Sequence, residues 1–140
     1  MTRRGGIIAL AGTVASTIAG AALDLVRETV TVAHGNMKRL KERVDARPSL
    51  AKAAYDWGFG DWEDALGAAS HVGNREIAEY LIGKSARPTL YSATMLGQLD
   101  VVKAFATAQP GCQRIAGPHS ISLLRMQRTA ERRRSRSCVI

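Results

Sequence analysis

The sequence predicts an all-α fold, a solenoid of about three to four helix-turn-helix units with the last one incomplete. Three observations predict it. A glycine-centred motif recurs along the chain, apolar residues after each glycine fall at i and i+4, and the stretches before the better glycines are rich in small residues. The 140 residues suit one modest core, and a hydrophobic content of 46% excludes a disordered polar chain. Two cysteines, Cys112 and Cys138, cannot make a disulfide scaffold, and neither sits in a CxxC or Cys/His zinc spacing.

The first element is Arg3-Arg4 followed by Gly5 to Leu23, a run with no charge and many Gly, Ala, Ser and Thr. A cationic start, an apolar run and the A-x-A pattern of Ala19-Gly20-Ala21 form the layout of an export signal over 1–22. The paired arginines and Gly/Ala-rich core resemble a twin-arginine signal, with Gly5-Gly6 departing from the usual polar and bulky positions. The resemblance implies an exported, periplasmic or extracytoplasmic protein. The alternative is a membrane anchor formed by residues 5–23.

The domain proper is expected over 23–125. Its motif is clearest in Gly73-Asn74-Arg75-Glu76-Ile77-Ala78-Glu79-Tyr80-Leu81-Ile82 and Gly97-Gln98-Leu99-Asp100-Val101-Val102-Lys103-Ala104-Phe105-Ala106, with a looser copy from Gly35 to Val44. Each glycine ends one helix, and the amide or acid that follows suits the positive end of the next. Before the two better glycines, Ala65 to His71 and Thr89 to Met95 read as short inner helices whose small residues permit close approach.

These units resemble the ankyrin repeat. Leu90 and Leu123 take the leucine of the T-P-L-H-x-A signature at the ankyrin period of 33 residues, and Ala69 and Ala93 take its alanine. Asp64-Ala65-Leu66-Gly67 and Pro88-Thr89-Leu90-Tyr91 keep the leucine and lose the histidine, and Leu66 to Leu90 spans only 24 residues. Ser85 stands where the family places a glycine in left-handed conformation. The resemblance covers roughly 25–125 and is strongest over 64–106. It implies a non-catalytic protein-recognition module and names no partner.

Departures fall at the edges. Glu28 replaces an expected leucine, as in a capping repeat, and Arg47 to Glu63 is too long for an inter-repeat loop. That segment is expected to hold a short helix, Leu50 to Tyr55, and then an irregular turn. In the last repeat Ala130 replaces the expected glycine, and Arg132, Arg134 and Ser135 replace the apolar face. The second helix of that repeat is therefore expected not to pack, leaving 126–140 as a frayed or disordered basic tail.

The formal charge of +8 divides unevenly along the chain. Residues 1–22 carry +2 and residues 125–140 carry +5, leaving +1 for the body between them. Nucleic acid is accordingly not the expected partner, and nucleic-acid or acidic-membrane binding through the basic termini is the alternative. A membrane enters only through an uncleaved amino-terminal segment. No small-molecule substrate and no cofactor are expected.

The sharpest local feature is Asp56-Trp57-Gly58-Phe59-Gly60-Asp61-Trp62-Glu63, which holds both tryptophans among acids. Aromatic anchors beside carboxylates point to a partner surface, so Trp57, Phe59, Asp61, Trp62 and Glu63 are candidate contacts. Against this stands a plain core role for the tryptophans. Tyr91, on an inner helix, joins the candidates, although the stripe Tyr91, Met95 and Leu96 equally suits a core. His34, His71 and His119 lack H-x3-H or HExxH spacing. His34 and His71 precede inter-helix glycines and are read as caps of helix C-termini. With no nucleophile or metal motif, the chain is not expected to be an enzyme, and a hydrolase-like use of His71 with nearby acids ranks third.

Overall fold

A computed structural model describes residues 20–137, with side chains to 135. Helix α1 covers 20–32 and is followed by α2 (Met37–Ala46), a 3-10 turn (Pro48–Lys52), strands β1 (Ala54–Asp56) and β2 (Trp62–Asp64), and α3 (Ala65–His71). Then come α4 (Arg75–Gly83), α5 (Leu90–Leu96), α6 (Leu99–Ala108), two further 3-10 turns (Cys112–Arg114 and Pro118–Ser120) and α7 (Leu123–Ser137). The chain is mostly helical, as expected. The export signal expected over 1–22 lies outside the described residues except for positions 20–22, which open α1. Among the described residues, no helix is long and apolar enough to cross a membrane.

Helices pair across the glycines the sequence marked. Gly73 and Gly97 adopt left-handed backbone, with φ of +70° and +73°. Asn36 and Asn74 cap α2 and α4, accepting from the backbone N–H of Arg39 and Ile77 at 3.0 and 3.3 Å. Gln98 begins α6 without a side-chain cap. Helix α3 packs against α4, α5 and α7, and α5 packs against α6 and α7. Every α3 residue from Ala65 to Ser70 is buried, which its alanines and Gly67 allow at close helix spacing. Leu40, Val44, Leu66, Ile77, Leu81 and Met95 supply the larger core side chains.

Two expectations are corrected. The short helix expected over Leu50 to Tyr55 is a 3-10 turn ending at Lys52, after which the chain becomes strand. Strands β1 and β2 form an antiparallel hairpin with Tyr55 opposite Glu63 and Asp56 opposite Trp62. Aromatic side chains fit a pleated, half-buried surface, and Gly58 and Gly60 supply a tight reversal between them. The expected irregular turn is the tip of that hairpin.

The second correction concerns the carboxyl end. Helix α7 runs unbroken from Leu123 through the expected boundary at 125/126, with Leu123, Met126 and Ala130 buried along one face. Ala130 marks no turn. A Cβ placed on Gly73 would lie 2.9 Å from the Ala130 Cα, so two minimal residues let the α7 backbone cross the α3–α4 turn. Arg132 and Arg134, which replace the apolar face of the motif, are both exposed, Arg132 on the outer face with Arg125 and Arg128.

Candidate functional site

The hairpin positions the site. Its tip is stapled by Trp57 N–H donating to Asp61 C=O at 3.0 Å and by Gly58 N–H donating to Asp56 Oδ1 at 2.9 Å. Phe59, at the turn, has φ of +57° between two left-handed glycines. This conformation is unfavourable for a bulky side chain and projects the ring outward. Phe59 is wholly exposed, and Trp62 and Trp57 are 62% and 39% exposed. Because side chains alternate along a strand, Trp62 faces solvent while its neighbour Glu63 turns inward.

Glu63 is fully buried. The Trp57 indole N–H donates to its Oε2 at 2.9 Å. His119 Nε2 lies 3.3 Å and His34 Nε2 3.8 Å from the same oxygen. His71 Nδ1 lies 2.9 Å from Oε1, yet too far off line for a hydrogen bond, so both atoms are buried without a directed partner. The three rings stack edge to face: His34 and His71 centroids are 4.8 Å apart, and His71 and His119 centroids 5.6 Å. Burial alone would raise the Glu63 carboxyl. The His71 contact, the nearness of His34 and the Trp57 donor outweigh burial and hold it below the ordinary glutamate range.

Two of the imidazoles are oriented from behind. His34 Nδ1 reaches the carbonyl oxygens of Val30 and Thr31 at 3.2 and 3.0 Å, in keeping with the expected capping role. A carbonyl can only accept, so the proton sits on Nδ1 and Nε2 faces Glu63. His119 Nδ1 contacts Asp61 Oδ2 at 2.7 Å, and its backbone N–H donates to Asp61 Oδ1 at 2.8 Å. These contacts push Asp61 below its ordinary value, the backbone donor contributing most. Burial would lower His119, but the Asp61 hydrogen bond and the two nearby carboxylates raise it. His119 and Ser120 both hold left-handed backbone, φ +55° and +56°, a strained turn fixed by the Asp61 bond.

The six candidate contacts therefore separate. Phe59 and Trp62 are displayed, and Trp57 shows one edge while its indole N–H is engaged. Asp61, its side chain 35% exposed, is hydrogen-bonded to His119, and Glu63 points into the protein, away from the partner surface expected of it. Tyr91 is half-buried on α5, where a Cβ on Gly117 would come within 2.9 Å of its ring. The histidine cluster was not legible in local spacing. Its one signal was that His34 and His71 each stand just ahead of an inter-helix glycine.

Comparison of the chain with protein-family models, with curated proteins and with solved structures gives no match.

Proposed function

We propose that the chain is a non-catalytic protein-recognition module built of ankyrin-like helix pairs, with the hairpin tip as its contact surface. One observation carries the reading: Phe59 and Trp62 are large aromatic side chains left in solvent on a hairpin whose base is hydrogen-bonded and packed. Exposed aromatics on a preorganised loop give contact area at small entropic cost. The helix–glycine–helix pairs around Gly73 and Gly97 support the repeat reading. Affinity capture from extracts of the native host tests it, comparing the wild type with Phe59→Ser/Trp62→Ser. A partner held by the wild type and lost from an equally helical double variant is expected. Retention by the double variant overturns it. Export through residues 1–22 belongs to the same proposal, and the mass of the mature amino terminus tests it.

A second reading, binding of a polyanion or an acidic membrane, has one observation in its favour. Arg125, Arg128 and Arg132 line one exposed face of an ordered helix rather than a loose tail. Deleting this segment would also remove Met126 and Ala130 from the core, so charge reversal is the cleaner probe. If the reading holds, Arg128→Glu/Arg132→Glu reduces the salt dependence of polyanion retention by about one unit of slope per arginine. Unchanged retention removes it.

A further inference from the structure

We infer that His34, Glu63 and His71 form a binding site for a divalent transition-metal ion of the zinc class. The inference is independent of the protein-recognition reading. Among the described residues, one donor atom from each of these three lies within 4.8 Å of the other two. They come from three separate elements: the turn after α1, strand β2 and the last residue of α3. Two imidazoles and one carboxylate match zinc and its neighbours, whereas calcium and magnesium prefer all-oxygen shells.

Three features point to a cation rather than to a closed hydrogen-bond network. First, Oε1 of Glu63 and Nδ1 of His71 are buried and face each other at 2.9 Å with no well-aligned hydrogen bond to either, and such groups are costly unless something satisfies them. Second, the carbonyls of Val30 and Thr31 behind His34 Nδ1 fix the ring with Nε2, the nitrogen a metal would take, turned to Glu63. A carbonyl behind the ring is also the usual support of a metal-bound histidine. Third, ligands at about 2.0–2.1 Å in a tetrahedron stand about 3.3 Å apart. His71 Nδ1 stands 2.9 Å from Oε1 of Glu63 and His34 Nε2 3.8 Å from its Oε2, and one donor from each residue lies within 4.8 Å of the others, so a modest closing of the three side chains would reach that spacing.

The site is open enough to load. The side chains of His34 and His71 are 32% and 11% exposed, while that of Glu63 is sealed beneath them. His119, whose Nε2 faces Oε2 of Glu63, stands beside the three ligands. A bound ion would tie α1, the hairpin and α3 together, fixing the base of the segment that carries Phe59 and Trp62.

The test uses the full chain, stripped with a chelator and titrated with Zn²⁺ or Co²⁺. Uptake of one equivalent is expected, with the visible absorption of low-symmetry Co²⁺ and a rise in thermal midpoint on the order of 10 °C at saturating Zn²⁺. His34→Gln and His71→Gln, each checked for native helicity, are expected to weaken binding about a hundredfold or more. A folded wild type that takes up neither metal and shows no thermal shift overturns the assignment. So does wild-type affinity in both histidine variants.

Discussion

The indole N–H of Trp57 donates to Oε2 of Glu63 across 2.9 Å, joining the last residue before the hairpin turn to the buried centre of the histidine cluster. The aromatic segment is thereby anchored to the interior on one side while Phe59 and Trp62 remain in solvent on the other. Trp57→Phe keeps an aromatic ring, smaller than the indole, and removes the donor. A buried carboxylate that loses a charge-assisted hydrogen bond is expected to cost about 1.5–3 kcal/mol, read by urea unfolding. A change within a few tenths of a kcal/mol would mean that water takes over the bond.

Gly73 carries two constraints at once, a left-handed backbone and contact with the α7 backbone at Ala130. Gly73→Ala combines the left-handed cost with overpacking and is expected to destabilise the protein by about 2–4 kcal/mol. Gly97 has the same handedness with open space around its Cα, so Gly97→Ala is expected to cost only about 1–2 kcal/mol. Equal losses at the two sites in thermal unfolding would show that α7 does not press on the α3–α4 turn.

Glu28 joins α1 to α2, accepting from Arg39 Nε at 2.9 Å and from Arg43 Nη2. The Arg43 bond chiefly, with Arg39, holds its carboxyl below the ordinary glutamate value against a smaller opposing effect of burial. A depressed folded value stabilises the fold above the unfolded pKa, and that contribution disappears as pH falls through the folded value. Glu28→Gln is therefore expected to be less stable than the wild type at about pH 7 and to approach it as pH falls through the lowered folded value of the carboxyl. A pH-independent gap in urea midpoints would assign the loss to packing instead.

Much of the helical frame was legible because its signals are local. Gly73, Gly97, Asn36 and Asn74 each act within one turn of their own position, and Ser85 adopts the left-handed backbone, φ +68°, that its place in the motif implied. The hairpin was less legible because its strands are three residues each, too short for alternation to register against the surrounding helical pattern. The α7 packing was misread because a residue at the expected turn was judged alone. Ala130 makes sense only beside Gly73, a partner distant in the chain. The cluster around Glu63 was hidden for the same reason: its members come from α1's end, β2, α3 and the turn before α7, and only the fold brings them together.

The central claim is that the hairpin tip meets the partner. Hydrogen–deuterium exchange of the chain, alone and bound to the protein that affinity capture returns, tests it most directly. Added protection over residues 57–62 is expected on binding. Protection confined to α6 or α7, with the hairpin amides unchanged, would contradict it.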